Sequence, residues 1–389
     1  MSAGPEPNVT VEMEIEGRRL PLSNLDKALY PSGFTKGDMV EYYVRVAPAI
    51  LPHLAGRPVT LRRFPDGLEG PTWFQTRCRG RPPWMRTAPI RIRRGEVHEY
   101  CLIEDRPSLA WAANQAAVEL HPFPWRHERP ERPVAAVFDL DPGPPAGPAE
   151  ACSVALRLRD LLGEAGLRSF AKASGSRGIH VLVPLNADVT FERTKSFGRE
   201  VAGRLAAEDP ARITDRLEHP ARGGRVMVDW RQNDRMRSTV APYSLRARRR
   251  PVVSAPLTWE EVERGTKEPA ALELGPAAVL DRVADRDLFE PVLQVAQPLP
   301  DLRALGGRFA SPAPGNGKGM ASDDERRGDD EVEDPTVEAD RASPEHPGPG
   351  DSEGARPEPP PGDEAADDAE DDHAEDDHAE DDHAEDRPR

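Results

Sequence analysis

The sequence predicts an α/β (α+β) domain built on a mixed β-sheet, followed by an acidic tail with no core of its own. Two observations carry this. Through the first three hundred or so residues, short apolar runs rich in β-formers alternate with segments of helical spacing. After Leu305, apolar residues become scarce while Pro, Gly, Asp and Glu dominate, so no face can be buried to offset the entropy of ordering.

Charge divides at the same place. Residues 301–389 hold 9 Lys and Arg against 30 Asp and Glu, which leaves 43 and 39 of the chain's 52 and 69 for residues 1–300. The net charge of −17 therefore belongs to the tail, and the body is mildly basic. A body with clustered Arg and Lys can approach phosphate whatever the average charge. These boundaries give an N-terminal extension over 1–18, a catalytic-sized domain over 19–300 and a disordered tail over 301–389. Within the tail, Ala-Glu-Asp-Asp-His recurs three times between Ala369 and His383. So short and polar a repeat cannot stack into a solenoid. Its His and Asp would hold a divalent metal only weakly, and the plainer reading is a solvated segment that aids solubility or meets a basic partner.

No run approaches the roughly 20 apolar residues of a membrane span, and the first residues are polar. The expectation is a soluble, intracellular protein with no membrane partner. Cys78, Cys101 and Cys152 lie far apart without C-x-x-C spacing, which predicts three reduced thiols and no zinc site.

The elements follow in order. Residues 37–54 carry apolar positions at helical spacing, with Pro48 and Pro52 expected to end or kink the helix. Residues 107–120 open on Pro and Ser and continue in helix formers, so a helix is expected throughout. Residues 134–140 (VAAVFDL) read as a short buried strand bounded by prolines. Residues 150–165 read as a helix ending at Gly166. The segment RSFAKAS then leads into SGSRG and the strand IHVLVPL. Residues 191–207 read as a helix, RVMVDW as a strand, and STVAPYSLRA as strand or extended chain.

Three segments carry chemistry. Asp139 and Asp141 end the apolar strand two residues apart, so both face the same way at about 6.5–7 Å between Cα atoms. Two such carboxylates repel unless a cation sits between them; a turn Asp beside a cap Asp is the plainer alternative. Ser174-Gly175-Ser176-Arg177-Gly178-Ile179-His180 offers small residues, hydroxyls and a planar cation of the kind that cradles phosphate, although it lacks the ending of a P-loop. Asp229 interrupts the apolar strand RVMVDW, where an acid is costly unless it is paired or metal-bound. Three carboxylates beside a phosphate-type loop match the apparatus of two-metal phosphoryl or nucleotidyl transfer.

Taken with their neighbours, these residues resemble the polymerase domain of bacterial ligase D, within the archaeo-eukaryotic primase superfamily. The resemblance runs from about Leu22 to Leu293 through LSNLDKALYP, TKGDMVEYY, GRPVTLRRFPDG, VELHPFPWR, VFDLDPG, SGSRGIHV, VDWRQN and TVAPYSLRAR. It implies a primase-like core that extends 3′ ends at gaps and double-strand breaks, prefers ribonucleotides, and serves non-homologous end joining in the cytoplasm, near the nucleoid. Asp139, Asp141 and Asp229 match the acids that hold two Mg²⁺ or Mn²⁺ ions and carry the catalysis. Arg62, His121, Ser174, Gly175, Ser176, Arg177, His180, Gln232 and Arg246 match positions around the incoming NTP or dNTP. Asn24, Lys27 and Lys36 match a pocket for the 5′-phosphate of DNA ends and gaps. Trp73 and Phe74 match an aromatic pair that stacks on bases, and Arg63 a neighbouring basic position.

Departures are few. Arg177 stands where the family commonly has Lys, Thr76 and Arg77 where it often has Lys, and Ala173 where it often has Thr. Neither an ATP-dependent ligase domain nor a nuclease domain accompanies these motifs, so the expected partners are a separate ATP-dependent DNA ligase and a Ku-like end-binding protein. Two other readings stay open. One is a scaffold that bridges 5′-phosphorylated ends without catalysis; the other is a primase that starts chains de novo. For the tail, electrostatic competition with non-specific DNA is the expectation.

Overall fold

The computed structural model describes residues 10–92, 95–217 and 222–302. The acidic tail and its repeats, with the disorder expected of them, lie outside the described residues.

The chain opens with a hairpin of β1 (Thr10–Ile15) and β2 (Arg18–Ser23), so the segment set apart as an extension contributes a strand. Helix α1 (Lys36–Leu54) starts at a capping box in which Thr35 and Asp38 satisfy each other's backbone N–H groups. Pro48 and Pro52 lie inside α1, which continues past both. An interior proline costs about 3 kcal/mol. The buried stripe of Met39, Tyr42, Tyr43, Val46 and Ile50 outweighs it, since each large side chain contributes about 1.5–3 kcal/mol on burial. Two tyrosine hydroxyls then fix this helix to strands that matter later. Tyr43 donates to the Val118 carbonyl (2.7 Å) and Tyr42 to that of Tyr243 (2.7 Å).

One sheet combines β3 (Pro58–Arg63), β4 (Trp73–Gln75), β5 (Thr87–Arg91), β6 (Val97–Leu102) and β7 (Ala117–Pro122), all pairings antiparallel. Helix α2 spans only Arg106–Asn114, so the helix expected over 107–120 is corrected in its second half. Ala116 takes a left-handed φ of 55°, which breaks the helix, and Val118–Leu120 enter the sheet beside β3. Good helix formers lose here to a core that wants a strand.

The second sheet has six strands in the order β11-β12-β8-β10-β9-β15: Ile213–Thr214, Val226–Asp229, Ala135–Pro142, Ile179–Pro184, Phe170–Ala173 and Pro256–Leu257. Every pairing is antiparallel except β11–β12, which makes the sheet mixed as expected. Helices α3 (Pro148–Glu164) and α4 (Phe191–Glu208) cover one face, burying Phe138, Leu140, Val226 and Val228. Alternation along β8 and β12 then turns Asp139, Asp141 and Asp229 to the opposite face. The ribbon β13 (Leu245–Arg246) with β14 (Val252–Val253), and helices α5 (Trp259–Gly265), α6 (Pro276–Asp285) and α7 (Glu290–Gln294), complete the described fold.

Cys78 and Cys101 form a disulfide, which corrects the expectation of three reduced thiols. The Cys78 N–H donates to the Glu99 carbonyl, and this brings the turn after β4 within 5.0 Å (Cα–Cα) of Cys101 on β6. A separation of 23 residues carries no such signal. Cys152 is free and buried, its thiol pushed up to about 11 by burial.

Candidate active site

The register of the six-stranded sheet builds a row. Asp229 on β12 pairs with Asp139 on β8, Asp139 with His180 on β10, and His180 with Lys172 on β9. Cross-strand partners share a face, so two carboxylates, an imidazole and an ammonium lie side by side. His180 Nε2 is 3.4 Å from Asp139 Oδ1. Lys172, only 2% exposed, donates to Ser254 Oγ at 2.6 Å.

Electrostatics follow from crowding. The Asp139 carboxyl is pushed up to about 7, first by burial and then by Asp141 and Asp229. Burial, Lys172, Arg246 and His121 hold the His180 imidazole well below its usual range, so it is neutral at pH 7. Burial, then Arg246, lowers Lys172 as well.

Asp229 Oδ1 accepts from the Arg231 backbone N–H at 2.9 Å, and Gln232 Nε2 donates to Oδ2 at 3.3 Å. The Arg231 guanidinium adds a looser ion pair with Oδ1 at 3.8 Å. Asp141 is paired with Arg222. Among the described residues, no three His, Cys, Asp or Glu side chains converge closely enough to hold an ion as they stand. The chemistry of the donors still fits a hard divalent cation. All three are carboxylates, two share one row, and Asp139, raised first by burial, is raised further by Asp141 and Asp229.

The Ser174–Gly178 loop closes the β9–β10 hairpin. Its N–H groups turn inward: Ser176 N and Gly178 N donate to Ser174 Oγ at 3.1 and 3.2 Å. Gly175 has φ +73°, and a Cβ there would collide with the Arg246 side chain. Arg177 reaches across to the Pro142 carbonyl at 3.3 Å, which places its guanidinium at the end of the strand bearing Asp139 and Asp141.

Facing this loop is a second cluster, on β3, β7 and β13. Glu119 lies 3.1 Å from Arg246 Nη1, 2.9 Å from His121 Nε2 and 3.5 Å from Arg62 Nη1. Burial alone would raise this carboxyl, but Arg246, His121 and Arg62 together hold it well below the usual range. Arg62 lies over the rings of Phe64 and Phe74 at 5.1 and 5.4 Å, and His121 meets Phe74 edge-on.

The residues expected to contact DNA form a third group. Asn24 adopts φ 53°, and its carbonyl accepts the Lys27 N–H; the Lys27 carbonyl accepts that of Lys36. Lys36, 6% exposed, is pushed down to about 8 by burial and by Lys27 and Arg63, so three cations share one locality. Lys27 also pairs with Asp66 at 2.9 Å. Trp73 is 44% exposed, unlike a core tryptophan, with Arg63 5.4 Å beneath its ring.

Three residues in contact with this arrangement carry no signal of it in the sequence: Glu119, Lys172 and Arg222. Glu119 was hidden by the helical reading of 107–120. As a strand, Glu-Leu-His puts Glu119 and His121 on one face. Lys172 becomes visible only through its register with His180, and Arg222 carried no local signal.

Fold and sequence motifs together are those of a primase-polymerase domain. The chain belongs to the LigD primase-polymerase domain family, whose model matches residues 35–289. It is 40% identical over 284 residues to the multifunctional non-homologous end joining DNA repair protein LigD of Mycobacterium tuberculosis, covering 70% of this chain and 37% of that protein. It is 30% identical over 267 residues to the bifunctional LigD of Bacillus subtilis, covering 68% and 42%. The chain thus spans about two fifths of the length of these relatives. Among solved structures, the polymerase domain of Mycobacterium tuberculosis ligase D in complex with DNA aligns with a TM-score of 0.66 at 39% identity, over 72% of this chain and 99% of that one.

Proposed function

We propose that this chain extends 3′ ends at gaps and double-strand breaks in DNA by nucleotidyl transfer, preferring ribonucleotides, in non-homologous end joining. The observation that carries the reading is the continuous row Asp229–Asp139–His180–Lys172 beside the Ser174–Gly178 hairpin. Two divalent cations, Mg²⁺ or Mn²⁺, held by Asp139, Asp141 and Asp229 would lower the pKa of the primer 3′-hydroxyl and neutralise the triphosphate.

The chain's own residues do the rest. Neutral His180 donates one hydrogen bond toward phosphate oxygen without adding fixed charge to the row. Arg177 and Arg246 flank the hairpin and neutralise the outer phosphates. Ser174, Gly175 and Ser176 hold the hairpin in the one shape that leaves room for Arg246. Gln232 fixes Asp229, and Arg62, His121 and Phe74 form the opposite wall. Asn24, Lys27, Lys36 and Arg63 grip a 5′-phosphate, which positions the break without reading its sequence. Trp73 stacks on a base at the break, while Phe74, expected beside it in that role, is assigned to the nucleotide wall because its ring meets Arg62 and His121. A Ku-like end-binding protein and a separate ATP-dependent ligase complete the pathway.

The test is primer extension by Asp139→Ala and Asp229→Ala. Loss of extension with DNA-end binding retained supports the assignment; extension persisting in both purified variants removes it.

A further inference from the structure

The Glu119 cluster deserves a role of its own, because its three side-chain partners are all residues of the nucleotide site. Glu119 is 1% exposed and stands on β7 directly opposite Arg62 on β3. One oxygen, Oε2, is shared by His121 Nε2 (2.9 Å), Arg246 Nη1 (3.1 Å) and Arg62 Nη1 (3.5 Å). The other, Oε1, accepts the backbone N–H of Ala247 at 2.9 Å and so fixes the main chain that carries Arg246.

Two subsites meet at this carboxylate. Arg246 runs against Gly175 of the phosphate hairpin, whose left-handed turn is what admits it. Arg62 and His121 set the ring of Phe74, one lying over it at 5.4 Å and the other meeting it edge-on at 5.7 Å. Without the carboxylate, two guanidiniums and an imidazole would crowd one buried spot and repel, and each would swing toward water. The carboxylates of the catalytic row lie on the other sheet, whereas Glu119 stands among all three groups.

We infer that Glu119 is a positioning residue that locks the phosphate arginine and the aromatic wall of the nucleotide site into a single unit. It touches no reacting atom; it acts through Arg246, Arg62 and His121. Phosphate binding at Arg246 is thereby tied to the placement of Phe74, so a nucleotide is accepted only when triphosphate and base are seated together. The inference rests on the reading of this cleft as a nucleotide site.

The experiment compares wild type with Glu119→Gln and Glu119→Asp. It measures the binding of a fluorescent NTP, the KM and kcat of gap filling, and the affinity for a 5′-phosphorylated gapped duplex. Glu119→Gln keeps the shape but not the charge. It is expected to weaken NTP binding and raise KM about 10- to 100-fold, as loss of hydrogen bonds to charged groups does. kcat and DNA affinity stay within about threefold, consistent with an interaction made equally in ground and transition states. Glu119→Asp, which keeps the charge, recovers part of the loss. Wild-type NTP affinity in Glu119→Gln overturns the inference. So does a parallel loss of NTP and DNA affinity, which would mark a merely structural residue. Failure of the wild type itself to bind the nucleotide removes the underlying reading of the cleft instead.

Discussion

Asp139 and Asp229 stand opposite each other in the antiparallel pairing of β8 and β12, two carboxylates on one face of one sheet. Facing carboxylates are destabilising neighbours, and a divalent cation, as proposed, would relieve their repulsion. The row they begin, continued by His180 and Lys172, is the frame on which the remaining site residues are arranged.

The first consequence concerns metal and pH. Asp139 titrates near 7 in the fold, raised by burial and then by Asp141 and Asp229, against about 4 in an unfolded chain. A raised carboxyl destabilises the fold progressively as pH climbs from about 4 to 7, and fully above that. A divalent cation relieves the penalty only where the carboxylate is ionised. Mn²⁺ should therefore raise the melting temperature more at pH 8 than at pH 5.5. Asp139→Asn should erase this increment and melt higher than wild type in metal-free buffer at pH 8. Equal increments at both pH values would contradict the account.

Under the proposed function, Lys36 contributes to recognition of the 5′-phosphate. With its pKa brought down to about 8, it is cationic at pH 7 and largely neutral at pH 9. The preference for a 5′-phosphorylated over an unphosphorylated gap, measured as a ratio of Kd values, should shrink as pH rises through that range. Lys36→Ala should lower the ratio about tenfold at pH 7, the loss of one charge-assisted contact. A ratio independent of both would place the phosphate elsewhere.

Gly175→Ala strains a left-handed φ and drives a methyl group into Arg246. NTP affinity should fall about tenfold or more while duplex binding is unchanged. Equilibrium titrations with a fluorescent NTP and with a labelled duplex read the two; an unchanged NTP affinity would separate the hairpin from the triphosphate.

Trp73→Ala should weaken binding to gapped DNA by about 1–3 kcal/mol whatever the base at the break, since every base offers a face for stacking. Binding isotherms on gaps differing only in that base check it. A loss confined to one base would indicate edge recognition instead.

Much of this was legible in the sequence, and the gaps have physical causes. The D-x-D strand, the Ser-Gly hairpin and Asp229 declare themselves because acids and glycines in apolar strands need a reason. Cross-strand register does not declare itself, so Lys172 could not be set beside His180 before the sheet was in view. Helix propensity concealed Glu119, because AWAANQAAVEL reads as helix until Ala116 turns left-handed. The Cys78–Cys101 bridge depends on a turn meeting a strand across 23 residues, a contact no spacing rule reports.

The most direct test of the central claim is extension of a primer in a 5′-phosphorylated gapped duplex by the purified wild-type chain, with Mn²⁺ and either NTPs or dNTPs. The account predicts template-directed extension, faster with NTPs. A protein that binds the gap but adds no nucleotide with any divalent cation would contradict it and leave a module that only holds DNA ends.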